Sequence, residues 1–299
     1  MKPQLSYIIA TRNRLPFLKI TLSKLINKLQ PDEEIVVVDA GSTDGTPAYL
    51  QGLFNEGKIH QFISEPDKNQ AHGWNKAMLM ATGILIKKII DDDVFCYSAI
   101  RQCKSYMLNN PQVDVLISND LGSTLYNHQQ IESYSRLPQF QQWAKGLVPS
   151  FTFGDVHMLI RRSSLAYIGL YNTAYTMMDW EYALRISYLR ANIVYYTGYN
   201  ALSVAHEQTV TSLKNMTDII DQGKRAQHFY KYAGDTAQIS NWSKIKIMLG
   251  KLIYKQAKNT GIDKPPVKVD IQLAYNYYYD QIDTLNSSGK FTFIENKTY

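Results

Sequence analysis

Through the first 120 residues, short apolar runs rich in β-branched residues alternate with stretches whose apolar positions recur every three or four residues. The runs are LSYIIA (5–10), EIVVVDA (34–40), IHQFIS (59–64), ILIKKII (84–90) and VDVLIS (113–118), and the helical stretches are 16–30, 46–55, 70–82 and 97–109. That order predicts an α/β chain with βα units around a mostly parallel sheet. Runs such as IVVV are apolar without alternation, as expected of strands covered by helices on both faces.

The pattern then weakens. Residues 121–150 mix polar residues with scattered aromatics and predict a long loop or lid with a short helix near 139–145. Strand character returns at 156–162, 193–197 and 202–206, with a short helix at 163–169 and an amphipathic one at 179–191. Beyond residue 213 strand signals stop, and helices are predicted at about 215–233, 243–258 and 268–284.

The 299 residues are 45% hydrophobic and 19% charged, enough for a sizeable core and unlike a disordered chain. A formal charge of +6 suits anionic partners without choosing among nucleotides, nucleic acid and a lipid surface. Cys96 and Cys103, seven residues apart in a predicted helix, read as buried free thiols in a reducing compartment. No apolar run reaches the length of a membrane span, so the chain is expected in the cytoplasm with at most peripheral membrane contact.

In an open α/β sheet, ligands sit beyond the carboxyl ends of the strands. Asp39 ends the second apolar run, and Asp91, Asp92 and Asp93 end the fourth. Three adjacent carboxylates after an apolar strand either hold a divalent cation such as Mg²⁺ or Mn²⁺ or form a solvated acidic turn. Asp179 and Glu181 open a helix, where the dipole favours them whatever their role, and two residues of separation turn them roughly 200° apart. At most one of them faces a given site. His206, at the end of a strand-like run, reads as either a packed side chain or a ligand.

TRNR (11–14), VVDAGSTDGT (37–46), SEPDKNQAHGWNKAMLMATG (64–83), DDDVF (91–95), MMDWEYALRI (177–186) and HEQTVTS (206–212) follow one another in this order. Together they resemble the family 2 glycosyltransferases of the GT-A fold over roughly residues 4–212. The resemblance implies a catalytic domain over 1–213, with a nucleotide-binding half (1–120), an acceptor-side half (121–213) and a helical carboxyl-terminal region (214–299). It implies that Thr11 and Asp39 hold the nucleotide base, with Arg12 and Arg14 nearby. Asp67 and Lys68 would line the nucleotide sugar and Asp91 would lie nearest the ribose or sugar. Asp92, Asp93 and His206 would serve the metal, Mn²⁺ or Mg²⁺, and Asp179 would be the general base. The sequence departs from the common pattern at Ala10, Ile90 and His72, where a proline and two acids are usual.

The implied activity is inverting transfer from a nucleotide-diphosphate sugar, a UDP-sugar by expectation, to a saccharide or lipid-linked acceptor in surface polysaccharide synthesis. The alternatives are a sugar nucleotidyltransferase, against which the glycine-free TRNRLPF loop speaks, and a catalytically weak sugar-binding relative. No nucleic-acid partner is expected, since zinc-finger and RNA-recognition spacings are missing. Trp180, Tyr182 and Trp143 are either acceptor-stacking or packing aromatics. The 243–258 stretch combines an apolar stripe with Lys244, Lys246, Lys251, Lys255 and Lys258, and it either packs on the domain or lies on an anionic membrane.

Overall fold

The computed structural model describes residues 2–206, 216–232, 234 and 270–296. Trp242, the 243–258 stretch and the part of HEQTVTS after His206 lie outside the described residues. The strands are β1 (Leu5–Thr11), β2 (Glu33–Asp39), β3 (Gln61–Ser64), β4 (Leu85–Lys88), β5 (Val94–Phe95), β6 (Val115–Ser118), β7 (Asp120–Thr124), β8 (Asn127–Tyr134), β9 (Met158–Arg161), β10 (Ile193–Tyr196), β11 (Ala201–Ala205) and β12 (Phe293–Glu295). The helices are α1 (Leu15–Ile26), α2 (Thr46–Asn55), α3 (Gln70–Met80), α4 (Tyr97–Asn109), α5 (Leu137–Ala144), α6 (Leu165–Ile168), α7 (Met178–Tyr188), α8 (Met216–Tyr230) and α9 (Ile271–Ser288).

Eight strands form the main sheet in the order β12-β10-β6-β9-β4-β1-β2-β3. β1 runs parallel to β2 and β4, β2 to β3, and β6 to β10, while β9 lies antiparallel between β4 and β6. Alternate residues serve opposite faces, as the pleat requires. Tyr7, Ile9, Ile35 and Val37 join Leu18 and Leu22 of α1 and Tyr275 and Tyr278 of α9 in one core. Ile8, Val36 and Val38 join Trp74 and Met78 of α3 and Tyr182 and Ile186 of α7 in the other. Each such large apolar side chain stabilises the fold by about 1.5–3 kcal/mol relative to exposure. Cys96 and Cys103 are buried free thiols, as expected.

The sheet is mostly parallel and covered by helices on both faces, with helices following residue 213. Residues 121–134, however, are not a loop. β7 and β8 form an antiparallel hairpin in a second, four-stranded sheet of order β5-β11-β7-β8. The strand β8 is mostly exposed, so it carries little of the apolar signal by which strands are read. β12 is likewise unanticipated: three residues pair antiparallel with β10 and extend the main sheet. Among the described residues, no helix is long and apolar enough to cross a membrane.

Candidate active site

The loops after β1 and β2 are tied together at the carboxyl edge of the sheet. Asn13, in a left-handed conformation (φ 52°), donates its N–H to Ser42 Oγ at 2.8 Å, and its Oδ1 accepts the Thr43 N–H at 2.8 Å. Asp39 is fully buried and accepts from the Ser42 N–H, the Ser42 hydroxyl and, at 2.6 Å, the Ser64 hydroxyl. Its carboxylate is thus committed to the turn at Gly41, which needs a positive φ of 71°.

These loops and the start of α3 enclose a cavity of about 450 Å³, within the usual range for small-molecule sites. Thr11, Arg12, Arg14, Asp67, Lys68 and Asp91 all line it; Ala40, rather than Asp39, is the β2-loop residue that does so. Asn69 caps α3 by accepting the His72 N–H at 3.1 Å, so the amino end of that helix opens on the cavity. Asp67 is held by Lys76 Nζ at 2.5 Å, and His72 Nδ1 lies 3.0 Å from the same carboxylate oxygen. Gly73 leaves room for it: a Cβ there would stand 2.5 Å from Asp67 Oδ2.

The three aspartates after β4 are buried, between 2% and 6% exposed, and each is held differently. Asp91 accepts from Thr11 Oγ1 at 2.6 Å and from Arg14 Nη1 at 3.3 Å. Asp92 Oδ2 accepts from the same Arg14 nitrogen and lies 2.8 Å from His206 Nε2. Asp93 Oδ1 accepts the Val204 N–H at 2.8 Å, which fastens the loop to β11. Burial, reinforced by the Asp92 charge, pushes the carboxyls of Asp91 and Asp93 above their ordinary values. Asp92 and His206 are therefore brought together, whereas Asp93 is turned to the backbone. Among the described residues, no three His, Cys, Asp or Glu side chains are grouped as a metal site.

A second cleft of about 550 Å³ shares Arg14, Gln70 and Ile90 with the first cavity and is lined by Asp92, Asp93 and Asp179. Asp179, at the start of α7, lies in this cleft with its carboxyl raised by burial and then by the Asp155 charge, against the pull of Lys88. Glu181, two residues on, turns away: it is buried against Arg185 Nη2 at 2.8 Å and accepts the Tyr230 hydroxyl. Trp143 and Tyr182 are fully buried packing residues, and Trp180 stands edge-on to Tyr232.

Sequence reasoning passed over Lys88 and Asp155. Lys88 Nζ meets Asp155 Oδ2 at 2.6 Å inside the second cleft, and Tyr171 donates its hydroxyl to the same oxygen at 2.6 Å. The signal was present in ILIKKII: a lysine in the middle of a buried strand requires a partner.

The fold, a mostly parallel sheet covered by helices on both faces, is the GT-A architecture of glycosyltransferases. The glycosyl transferase family 2 model matches residues 6–169, more than half of the chain, and the protein belongs to that family. Its fold is similar to that of S. aureus TarS 1-349 in complex with UDP-GlcNAc, with a TM-score of 0.58 and 17% identity. That alignment covers 94% of this chain and 83% of TarS 1-349. It is also similar to the mannosyltransferase PcManGT from Pyrobaculum calidifontis in complex with GDP-Man and Mn²⁺. There the TM-score is 0.55 at 16% identity over 96% of this chain and 88% of the other. No curated protein sequence matches the chain.

Proposed function

We propose that the protein is a metal-dependent, inverting glycosyltransferase that moves a sugar from a UDP-sugar to a hydroxyl of a saccharide or lipid-linked saccharide in surface polysaccharide synthesis. The observation that carries this reading is the hydrogen-bonded chain from Thr11, Asp91 and Arg14, which line the 450 Å³ cavity, to Asp92 and His206, with Asp92 and Asp179 in the adjoining cleft. Nucleotide sugars are bound by the two similar structures, UDP-GlcNAc in one and GDP-Man in the other.

In this reading Arg12, Arg14 and Lys68 supply positive charge along the cavity for the diphosphate. Thr11 and the Asp39-braced turn close the base end, while Asp67 and Asp91 meet the ribose and the sugar. Asp92 Oδ2 and His206 Nε2 converge, and Arg14 already rests on that same carboxylate oxygen. A carboxylate and an imidazole at a point built to face positive charge fit Mn²⁺ or Mg²⁺. Such a cation, when bound, neutralises charge on the departing diphosphate. Asp93 acts as the brace that keeps Asp92 in place.

Asp179 takes the proton of the incoming hydroxyl as general base. With the acceptor hydroxyl entering on the side of the sugar away from the diphosphate, attack inverts the anomeric carbon. Peripheral contact with an anionic membrane through 243–258 belongs to the same proposal. Salt-sensitive flotation on anionic liposomes supports that contact, and failure to float removes it.

The deciding experiment is calorimetric titration with UDP-, GDP- and dTDP-sugars in the presence of Mn²⁺ or Mg²⁺, followed by assay of donor hydrolysis. Metal-dependent binding of a UDP-sugar is expected. A protein that binds no nucleotide sugar under any of these conditions would overturn the reading.

A further inference from the structure

Helix α9 lies beyond the residues matched by the family model, yet it reaches the acidic loop. Tyr275 is fully buried and donates its hydroxyl to the backbone carbonyl of Asp92. Its ring sits 5.9 Å from that of Phe17 on α1, and Phe17 stacks on His206 with centroids 4.8 Å apart and planes 19° from parallel. His206 Nε2 in turn meets Asp92 Oδ2 at 2.8 Å. The contacts close a circuit that runs from the Asp92 main chain through two aromatic rings and an imidazole back to the Asp92 side chain.

Such a circuit answers a physical need. Three adjacent buried carboxylates repel one another, and without restraint the loop would turn them out to water. α1 supplies another tie, the Thr21 hydroxyl, which donates to the Asp91 carbonyl at 2.8 Å. Both helices that pack behind the loop therefore grip its backbone.

We propose that Tyr275 and Phe17 are positioning residues: Tyr275 fixes the Asp92 backbone and Phe17 fixes the plane of the His206 ring, so that this pair is preorganised for its ligand. The inference rests on the donor-site reading given above but concerns residues that the motifs of that reading do not contain. Partners that orient ligating groups in this way commonly change affinity when removed, by about 10–100-fold.

The test compares Tyr275→Phe, which removes one oxygen, with Asn286→Ala on the same helix. Asn286 anchors the far end of α9 through the Tyr199 carbonyl at 2.7 Å, so its loss reports stability alone. Two readouts are taken: the ¹⁵N resonances of the His206 ring in metal-free protein, and calorimetric binding of UDP with Mn²⁺. Tyr275→Phe should shift the His206 resonances and weaken Mn²⁺–UDP binding about tenfold or more. Asn286→Ala should lower the thermal midpoint and do neither. Phe17→Leu should weaken binding in the same direction, and it serves if Tyr275→Phe fails to fold. Unchanged resonances and affinity in Tyr275→Phe, or unchanged affinity in a folded Phe17→Leu, would overturn the proposal. If the wild-type protein binds neither Mn²⁺ nor UDP, the functional reading falls, and the His206 resonances still decide this inference.

Discussion

Lys88 and Asp155 form an ion pair, Nζ to Oδ2 2.6 Å with both side chains 4% exposed, in the cleft that also holds Asp179. The two members of the pair pull the Asp179 carboxyl in opposite directions, Asp155 upward and Lys88 downward, with burial adding to the upward push. A general base works only when ionised, so activity is lost as the pH falls through its raised value. The acid limb of kcat should therefore lie at higher pH than an ordinary aspartate would give. Asp155→Asn removes the like charge that raises Asp179 and should move that limb to lower pH. It should also cost on the order of 3 kcal/mol in stability, because Lys88 is left buried without its counter-charge. A pH–rate profile of the variant that coincides with the wild type would remove Asp155 from this role.

Asp179→Asn keeps the size of the side chain and abolishes its basicity. Transfer should fall by at least about a hundredfold, the usual lower range for a lost general base. Binding of UDP with Mn²⁺ should persist, since Asp179 is not among the residues lining the cavity proposed for the nucleotide. Steady-state kinetics beside calorimetry checks both halves, and full activity in the variant would exclude Asp179 as the base.

Gly73→Ala tests the proposed donor role of the cavity that Gly73 lines. The added methyl would stand 2.5 Å from Asp67 Oδ2, and the obstacle is the tip of a side chain rather than backbone, so Asp67 should swing aside at little cost to the fold. The expected result is a thermal midpoint within a few degrees of wild type and a clearly higher KM for the nucleotide sugar. An unaltered KM would mean that Asp67 does not touch the donor.

Lys87, next to Lys88 but on the other face of β4, is fully buried and donates to the carbonyl of Val156 and to Asn200 Oδ1 at 3.0 Å. Burial pulls its ammonium from an ordinary 10.5 down to about 7. Below about pH 7 both folded and unfolded chains hold the proton, and the folded state bears the whole penalty. Between there and 10.5 the unfolded chain binds more protons, so this group adds stability as the pH rises. The thermal midpoint of the wild type should climb relative to Lys87→Met between pH 6 and 9. Parallel curves would show that Lys87 stays charged throughout.

Much of the site could be read from the chain because its residues sit where strands end. Asp91 and Asp92 end an apolar run and stand out on that ground, whereas Thr11 and the choice of Asp179 over Glu181 came with the family resemblance; helical phase said only that the two acids face different ways, which the structure turns into cleft and packing. His206 needed the family resemblance, since a lone histidine after a strand has no intrinsic signature, and its link to Asp92 spans 114 positions. Asp39 is the converse case: its place at a strand end is plain, but its commitment to Ser42 and Ser64 arises from loop geometry that periodicity does not encode. Tyr275 could not be found at all. The YNYYYD stretch has too many tyrosines for a sequence to say which hydroxyl meets which carbonyl.

β12 joins residues 293–295 to a strand about a hundred positions earlier, and α9, immediately before it, reaches back to the acidic loop. On a ribosome, the neighbouring edge of β10 must wait uncovered until residues 293–295, about a hundred positions further on, have emerged. Contacts this distant in sequence close late and slowly. The strands around the 450 Å³ cavity can thus pair first, while the clamp behind Asp92 must wait for α9 to be made.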